Sequence, residues 1–261
     1  MPGASALLHA MINPQVASYE DVRNGIAPIA PYFASANDRL VVAFGGMALR
    51  REMPIFEFFA TTSPLDLNKI FIRDLRRTWY HRGLPGICEN IDGIAEYLRD
   101  LIGMREFRQI TFVGSSTGGY AAILFGLLLN ATSVIAFVPK TFLNPWQRLR
   151  HGDVKTWRQM CRLLMARSAQ RKYFDLRSVL ESRKSATEFH VHFCADSRLD
   201  VLHAEHLRGC ANVFLHHHRE GGHRLVRKLR DSGELKRILV ASLTLDLERS
   251  AQRTDPVRMA I

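Results

Sequence analysis

No apolar run in this sequence approaches the roughly 18 residues that a helix needs to cross a membrane. The N-terminal stretch MPGASALLHAMINPQV has no cationic segment ahead of its apolar residues, so it makes a poor secretory signal. Cysteine is scarce, and none of the four forms a C-x-x-C pair; they are Cys88, Cys161, Cys194 and Cys210. Scattered thiols build neither a disulfide framework nor a zinc site. We therefore expect a cytoplasmic protein without a bound metal.

The chain also lacks the modules by which many proteins recognise nucleotides and nucleic acids. It has no glycine-rich phosphate loop, no helix-turn-helix pattern, no zinc module and no RNA-binding aromatic strand. The formal net charge of +11 nevertheless favours anionic partners in general. A basic, non-catalytic binding module is therefore only the third interpretation of this sequence, and we do not expect nucleic acid to be its partner.

Much of the positive charge is concentrated in one segment. Residues 141–187 contain eleven lysines and arginines against three acidic residues. The segment also interrupts the alternation of strand-like and helix-like patterns. We predict that it is a small basic cap insertion above the carboxyl edge of a sheet, because open α/β sheets bind their ligands at that edge. A surface excursion without a role is the alternative.

Six short apolar runs predict strands that are covered on both faces. They are rich in Val, Ile and Phe and alternate only weakly with polar residues, which is typical of a parallel sheet. Because helical patterns lie between them, the sequence predicts a doubly wound α/β sheet. The predicted strands are Leu40–Phe44, Lys69–Ile72, Gln109–Val113, Ser133–Val138, His190–Cys194 and Asn212–Leu215.

The remaining segments complete the predicted organisation. Residues 1–38 form an N-terminal arm or edge strands, and residues 39–140 together with 188–261 form the core. The predicted helices cover 91–102, Thr117–Leu129, Trp157–Met165, Leu225–Leu229 and Leu235–Leu243.

A G-x-S-x-G motif centred on Ser116 stands between a predicted strand and a predicted helix. In that context a serine sits on a tight turn, with its hydroxyl exposed at the carboxyl edge of the sheet. Gly114 and Gly118 permit the sharp turn and the close approach of helix to strand. The first helical turn offers unpaired N–H groups to a developing negative charge. The motif therefore predicts a nucleophilic serine.

A serine hydroxyl is a weak nucleophile and needs a base to accept its proton. His223 follows the last predicted strand, directly after two glycines that loosen the loop. From that position an imidazole can reach back over the sheet edge, so we predict that His223 is the base. The run of three histidines at 216–218 is the rival, although a surface role is the ordinary expectation for it.

The base in turn needs a carboxylate that fixes its tautomer. Asp196 follows the strand His190–Cys194 directly, and we prefer it as the catalytic acid. Asp200, four residues further on, is the alternative, and it could instead cap the helix that follows.

An oxyanion hole requires two preorganised N–H donors. We predict that Thr117, directly after the serine, supplies one of them. Gly46 or Met47, in the loop after the strand Leu40–Phe44, supplies the other, and the sequence leaves this choice open.

Three further residues are candidates for substrate contact. Tyr80 and His81 follow the strand Lys69–Ile72, and Arg198 lies beside the acid loop. Packing and solvation are the more ordinary roles for such side chains.

The order Ser116, Asp196, His223, preceded by Phe44-Gly45-Gly46, resembles the α/β-hydrolase superfamily over roughly residues 38–245. The resemblance implies a mostly parallel sheet flanked by helices and a two-step acyl transfer. The chain departs from the usual pattern in two ways. Phe44 stands where many members have a histidine, and the N-terminal strands are poorly marked, so we expect a sheet shorter than the family's full one.

The resemblance implies a serine esterase without a cofactor, acting on a small-molecule or saccharide ester that could be anionic. The second interpretation is an O-acetyltransferase of the same fold, with acetyl-CoA as co-substrate and a sugar hydroxyl as acceptor, since some bacterial capsule O-acetyltransferases look like small α/β-hydrolases. The basic segment 141–187 would suit the phosphates of CoA or an acidic polysaccharide.

Overall fold

A computed structural model of the protein describes residues 19–24, 26–47 and 58–253. Within these residues seven strands form one sheet in the order β1-β3-β2-β4-β5-β6-β7. The strand bounds are β1 Ile29–Tyr32, β2 Arg39–Phe44, β3 Asn68–Ile72, β4 Gln109–Ser115, β5 Ser133–Phe137, β6 Glu188–Cys194 and β7 Val213–His218. All neighbouring strands pair in parallel except β1, which is antiparallel to β3 at the edge of the sheet.

Helices cover both faces of this sheet. Their bounds are α1 Tyr19–Asn24, α2 Phe59–Thr62, α3 Ile91–Gly103, α4 Thr117–Leu128, α5 Pro145–Arg150, α6 Trp157–Leu164, α7 Leu176–Glu181, α8 Arg198–Glu205, α9 Leu225–Asp231 and α10 Glu234–Arg253. Short 3-10 turns cover Arg171–Tyr173 and Gly222–Arg224. In the described ranges no helix is both long and apolar enough to span a membrane.

The six predicted strands are all present, and the predicted α/β sheet is confirmed. The sequence predicts an arm or edge strands within residues 1–38 without giving their bounds, and β1, the edge strand found there, has only four residues and contains Pro31. An edge strand tolerates proline because one of its sides has no hydrogen-bonded neighbour. The segment 141–187 holds α5, α6 and α7 between β5 and β6, and residues 1–18 of the predicted arm lie outside the described residues.

Two hydrophobic clusters cover the two faces of the sheet. The larger one includes the buried faces of α3 and α4, and the smaller one includes those of α9 and the first part of α10. Nearly every residue of α4 is buried, since this helix packs on β2, β4 and β5. The end of β4 and the start of α4, where the G-x-S-x-G motif lies, are therefore held rigidly.

Two glycines allow α4 to contact the strands directly. A Cβ atom on Gly114 would lie 2.1 Å from the carbonyl oxygen of Gly118, and one on Gly118 would lie 2.2 Å from the carbonyl oxygen of Phe44. No side chain can be accommodated at these distances without moving the backbone. The close packing fixes the height of the turn above the carboxyl edge of the sheet.

Gly118→Ala is therefore expected to reduce the free energy of unfolding by about 3 kcal/mol or more, the upper range for an overpacked site. Gly103→Ala is the matched control, because a Cβ there meets nothing within 4 Å and alanine favours a helix. Urea unfolding of both variants measures the effect. Equal unfolding midpoints for the two variants would contradict the packing described here.

Candidate active site

Ser116 occupies the turn between β4 and α4 in a strained backbone conformation. Its φ of 55° lies in the left-handed region, which residues with a Cβ atom rarely adopt. Its N–H donates to the carbonyl of Phe137 at 2.9 Å, and its own carbonyl accepts from the N–H of Tyr120 at 3.0 Å. Strain of this kind persists only where the surrounding structure enforces it. The enforced turn places the serine hydroxyl at the carboxyl edge of the sheet.

His223 reaches this hydroxyl from the loop after β7. Its Nε2 atom lies 2.9 Å from Ser116 Oγ. The loop can curl back over the sheet because Gly221 and Gly222 have φ values of 130° and 49°, which are unfavourable for residues with side chains. The structure therefore brings together the predicted nucleophile and the predicted base, which are 107 positions apart in the sequence.

The carboxylate on the other side of the imidazole belongs to Asp200. Its Oδ1 atom lies 2.9 Å from His223 Nδ1. A carboxylate only accepts hydrogen bonds, so Nδ1 carries the proton and Nε2 is free to accept one from Ser116. Burial favours the neutral carboxyl, but the hydrogen bond from His223 outweighs it, and the pKa of Asp200 is lowered. Asp200 thus remains ionised at neutral pH.

Asp196, the acid preferred from the sequence, is not the residue next to His223, so that prediction is wrong. Its exposed carboxylate accepts from the backbone N–H groups of Gly221 and Gly222, each at 3.0 Å. Both carboxylate oxygens are therefore engaged with the loop that carries His223. Asp196 holds this loop in place and does not orient the imidazole.

The start of α8 explains why Asp200 is the residue that reaches His223. The helix begins at Arg198, and Ser197 caps it by accepting from the N–H of Asp200 at 3.4 Å. The sequence offers Asp200 as a possible helix cap, but Asp200 lies in the first turn of α8, after the cap. Its side chain is free to point from that turn towards the loop after β7.

The three side chains of this array line one cavity of about 220 Å³. Part of its wall comes from the segment between β5 and β6, for which the sequence predicts a cap. The other lining residues are Trp79, Thr117, Lys140, Asp153, Lys155, Thr156, Ser197 and Leu199. Because Asp153, Lys155 and Thr156 belong to that segment, it forms one side of the cavity that contains the serine.

A buried charge cluster supports this wall. Asp153 accepts from Lys140 Nζ at 3.2 Å, from Arg148 Nε at 2.9 Å and from His203 Nε2 at 3.2 Å. The Nδ1 atom of His203 accepts from the N–H of Thr141, so its proton lies on Nε2. Because His203 belongs to α8, the cluster fixes the cavity wall against the helix that carries Asp200.

The electrostatics of the cluster follow from its burial and its pairing. Burial alone would raise the pKa of Asp153, but the hydrogen bond from His203 and the charges of Lys140 and Arg148 hold it well below its usual range. Burial lowers the pKa of His203 to about 4. The carboxylate is therefore ionised and the imidazole neutral at neutral pH.

Buried neutral histidines predict a loss of stability in mild acid. Burial lowers the pKa of His81 to about 3 and that of His203 to about 4. The unfolded chain takes up protons near pH 6.5 and the folded chain does not, so unfolding becomes more favourable as pH falls below 6.5. Each histidine should cost up to about 1.4 kcal/mol per pH unit until its folded pKa is reached. The depressed pKa values of Asp153 and Asp200 act in a different window, below about pH 4.

Urea unfolding at pH 7, just above this window, and at pH 6 and 5, within it, measures the effect. His203→Gln, which keeps a polar side chain but cannot titrate, should show a weaker dependence on pH than the parent chain. An unfolding free energy that stays constant between pH 7 and pH 5 would contradict the assignment of neutral buried imidazoles.

The structure places two of the predicted substrate contacts in the core and not at the cavity. Tyr80 is fully buried, and its hydroxyl donates to the carbonyl of Gly45 at 2.9 Å. His81 is also fully buried, with Nε2 3.0 Å from the hydroxyl of Tyr120. Aromatic residues of this kind bury their rings when their polar ends find partners inside the protein. Tyr80 thus holds the glycine loop after β2 in position.

Arg198 also differs from its predicted role. It is exposed, and it is not among the residues that line the cavity, although its neighbours Ser197 and Leu199 are. Trp79 is the residue of the loop after β3 that does line the cavity. The guanidinium of Arg148 lies 5.2 Å from the centre of its ring, so Trp79 connects the charge cluster to the cavity.

The predicted oxyanion donors lie on both sides of the serine turn. Thr117 is the first residue of α4 and lines the cavity. A Cβ atom on Gly46 would lie 3.3 Å from the carbonyl oxygen of Ser115, so the loop after β2 runs directly against the turn. Met47 is partly buried against the larger hydrophobic cluster. Gly46 and Met47 do not line the cavity, and the choice between them stays open.

Two of the three rival histidines, His216 and His218, pair with histidines of β6 and not with Ser116. His216 Nε2 lies 3.0 Å from His190 Nδ1, and His218 Nε2 lies 3.1 Å from His192 Nδ1. These pairs join neighbouring strands β6 and β7. In the described part of the chain, no group of three or more His, Cys, Asp or Glu side chains could hold a metal ion.

Lys140 and Asp153 are among the polar residues of the cavity that sequence reasoning missed. Lys140 comes three residues after the end of β5, at the sheet edge where ligands bind, and this position was an available signal. Asp153 is the only acidic residue between Arg148 and Lys172, so its isolation in a basic stretch was a second signal. Their contact with each other depends on the fold.

The sheet order, the serine turn after the central strand β4 and the position of the histidine after the last strand define the α/β-hydrolase fold. The chain has this fold. No protein-family model and no curated protein matches it in sequence.

Solved structures of α/β-hydrolase enzymes share the fold at low identity. The capsule O-acetyltransferase of Neisseria meningitidis serogroup A matches with a TM-score of 0.58 and 16% identity, over 79% of this chain and 88% of that one. An inhibited esterase B from Lactobacillus rhamnosis matches with a TM-score of 0.59 and 13% identity, over 85% of this chain and 82% of that one. MenH from Staphylococcus aureus matches with a TM-score of 0.52 and 14% identity, over 84% of this chain and 98% of that one. The likeness concerns the fold.

Proposed function

We propose that the protein is an enzyme that transfers acyl groups through a covalent intermediate on Ser116. The observation that carries the proposal is the continuous contact from Ser116 Oγ to His223 at 2.9 Å and from His223 to Asp200 at 2.9 Å, at the wall of one cavity. A serine with a base and an orienting carboxylate at these distances is the arrangement that activates a hydroxyl for attack.

In the first step Ser116 Oγ attacks the carbonyl carbon of an ester while His223 Nε2 takes up the hydroxyl proton. Asp200 stays ionised and stabilises the imidazolium that forms. The N–H of Thr117 and an N–H of Gly46 or Met47 donate to the oxygen of the tetrahedral intermediate. The intermediate then expels the alcohol or thiol, which receives its proton from His223.

In the second step a hydroxyl compound attacks the acyl-enzyme. His223 accepts the proton of the attacking water or alcohol, and Ser116 Oγ leaves and recovers its proton from His223. Water as the attacking group makes the protein an esterase. A sugar hydroxyl in the same position makes it an acyltransferase, so the two activities share every residue of the array.

An exposed lysine on the cavity wall favours an anionic or carbohydrate-linked ester as substrate. Lys140 is paired with Asp153, whereas Lys155 is exposed on the cavity wall. An exposed ammonium group beside a reactive serine attracts carboxylate or phosphate groups of a substrate. Esterase activity on such a substrate is the function that the site supports best.

An O-acetyltransferase is the second candidate, with acetyl-CoA as donor and a saccharide as acceptor. The fold is shared with a capsule O-acetyltransferase, and the basic residues of 141–187 could hold the phosphates of CoA or an acidic polysaccharide. The two candidates differ in the donor that acylates Ser116 and in the acceptor that releases the acyl group.

Purified protein should be given p-nitrophenyl acetate or acetyl-CoA, each with and without a saccharide acceptor. Steady release of acetate from the ester in water alone supports the esterase. Acetylation by acetyl-CoA that persists until a saccharide is added supports the transferase. Failure of both donors to acylate the protein would contradict the proposed function in either form, provided that a fluorophosphonate also leaves Ser116 unlabelled.

Lys155→Glu is expected to raise KM for an anionic ester by about tenfold while changing KM for a neutral ester of equal size less than twofold. The reversal places a negative charge at the cavity wall, and about 1.4 kcal/mol of repulsion gives this factor. Lys184→Glu, an exposed change in the same segment but outside the cavity lining, is the control. Equal effects on both esters would contradict a role for Lys155 in attracting the substrate.

A further inference from the structure

The helices beside the cavity expose an unusual number of large apolar side chains. Among the described residues, six of the nine exposed large hydrophobic side chains lie between positions 146 and 165. Trp146 is 78% exposed and Met165 is 76% exposed. We call this the α5–α6 surface; its apolar members are Trp146, Leu149, Val154, Trp157, Leu164 and Met165.

The apolar members lie on the outer sides of the two helices. Trp146 and Leu149 are three residues apart on α5, and Trp157 and Leu164 are seven apart on α6, so each pair shares a face. Met160 and Leu163, which lie beside this face, are the buried residues of α6 and pack inward. The helices are therefore anchored in the fold, and their exposed side chains are not needed to hold them there.

Cations are interleaved with these apolar side chains. Five lysines and arginines of the surface are exposed, and in the described structure none of them has an ion pair. The acidic residue of this stretch, Asp153, is buried and already paired. The five cations are Arg150, Lys155, Arg158, Arg162 and Arg167. The α5–α6 surface thus combines exposed apolar groups with an uncompensated positive charge.

We propose that the α5–α6 surface docks on an anionic lipid membrane. Arginines and lysines are attracted to acidic headgroups, and tryptophan rings are stable at the level where headgroups meet acyl chains. The aliphatic members favour a membrane over other anionic partners. Contact with acyl chains removes Leu149, Leu164 and Met165 from water, which is favourable. A polysaccharide or a nucleic acid offers stacking and charge to the tryptophans and arginines but little to these aliphatic side chains.

A second copy of the chain is a less favourable occupant. A symmetric dimer places the same patch of both subunits face to face. Five unpaired cations on each side would then oppose five on the other, and like charges across an interface are repulsive. An anionic bilayer presents the opposite charge together with an apolar interior.

Docking in this way would turn the catalytic cavity towards the membrane. Lys155 and Thr156 line the cavity and stand directly between Val154 and Trp157 of the surface. The surface and the cavity opening are thus continuous along the chain. The membrane contact itself does not depend on the proposed acyl transfer, and it would bring a lipid-borne or membrane-bound substrate to the serine.

The test is sedimentation of the full chain with lipid vesicles. Vesicles of phosphatidylcholine alone are compared with vesicles that also contain phosphatidylglycerol, at low and high salt. We expect at least about tenfold stronger association with the anionic vesicles and a marked loss of it at high salt, since the attraction is partly electrostatic. Fluorescence of Trp146 and Trp157 should shift to shorter wavelength on binding, while the buried Trp79 contributes a constant background.

Two double variants separate the apolar and the electrostatic parts. The first variant combines Trp146→Ser with Met165→Ser, and the second combines Arg158→Glu with Arg162→Glu. Each should reduce association with anionic vesicles about tenfold or more. Exposed residues are changed in both, so the fold should survive, which circular dichroism checks. Arg183→Glu with Lys184→Glu, exposed residues outside the surface, is the control and should bind like the parent chain.

Equal association with neutral and anionic vesicles, or none with either, would overturn the proposal. Undiminished binding by the Trp146→Ser, Met165→Ser variant would also overturn it, since the apolar members would then not contact lipid. Concentration-dependent self-association that the same variants abolish would assign the surface to a second copy instead. Each of these results is independent of whether Ser116 becomes acylated.

Discussion

Ser116→Ala is expected to reduce turnover of an ester substrate by about 10⁴-fold or more while the protein remains folded. The change removes the atom that forms the covalent bond and leaves the base, the carboxylate and the cavity in place. The hydroxyl lies 2.9 Å from His223, and the backbone conformation of the turn suits alanine no worse than serine. The thermal midpoint should therefore change little.

Ser115→Ala is the matched control for this prediction. Ser115 is the last residue of β4, in the same motif, and it lies outside the cavity lining. Its replacement should leave turnover within a few-fold of the parent value. Full activity in the Ser116 variant together with loss of activity in the Ser115 variant would contradict the assignment of the nucleophile.

Asp200→Asn and Asp196→Asn should have very different effects. Replacing the carboxylate that orients a catalytic histidine reduces kcat by about 10⁴-fold, because the amide can stabilise the wrong imidazole tautomer. Asp200 is the carboxylate 2.9 Å from His223 Nδ1, and its lowered pKa keeps it ionised at neutral pH. Asp200→Asn is therefore expected to lose most of the activity.

Asp196→Asn should retain activity to within about tenfold, in keeping with the loss of one of two hydrogen bonds to backbone N–H groups. Both variants exchange a carboxylate for an amide of the same shape, so each is the control for the other. Measurement of kcat with p-nitrophenyl acetate distinguishes them. A larger loss in the Asp196 variant would contradict the geometry and restore the sequence-based choice.

The strands could be predicted because buried parallel strands are continuous apolar runs, bounded by polar or glycine-rich loops. The bounds of the edge strand β1 could not be predicted, since a four-residue strand with a proline carries too weak a pattern. The contact between Ser116 and His223 could be predicted for a similar reason. Ser116 has a local motif, and His223 has a position relative to the last strand and two adjacent glycines.

Which carboxylate lies beside His223 depends on where α8 begins. Asp196 comes directly after β6, which made it the obvious choice, but its carboxylate is occupied by the glycine loop. The pattern Ser197-x-x-Asp200 was a signal that Ser197 caps a helix and that Asp200 lies in its first turn. Which side of that turn faces His223 is decided by tertiary packing alone.

The charge cluster could not be predicted from local pattern. His203 lies 50 residues from its partner Asp153, so only the fold brings them together. Tyr80 and His81 were misassigned for a related reason. Their polar ends are satisfied by Gly45 and Tyr120, which are 35 and 39 residues away, and a sequence does not reveal such partners.

Trapping of the covalent intermediate tests the central claim most directly. The protein and its Ser116→Ala variant are treated with p-nitrophenyl acetate or with a fluorophosphonate, quenched in acid, digested and examined by mass spectrometry. The proposal predicts one adduct per chain, on the peptide that contains Ser116, and none in the variant. An adduct on another residue, or an equal adduct in the variant, would contradict acyl transfer through Ser116.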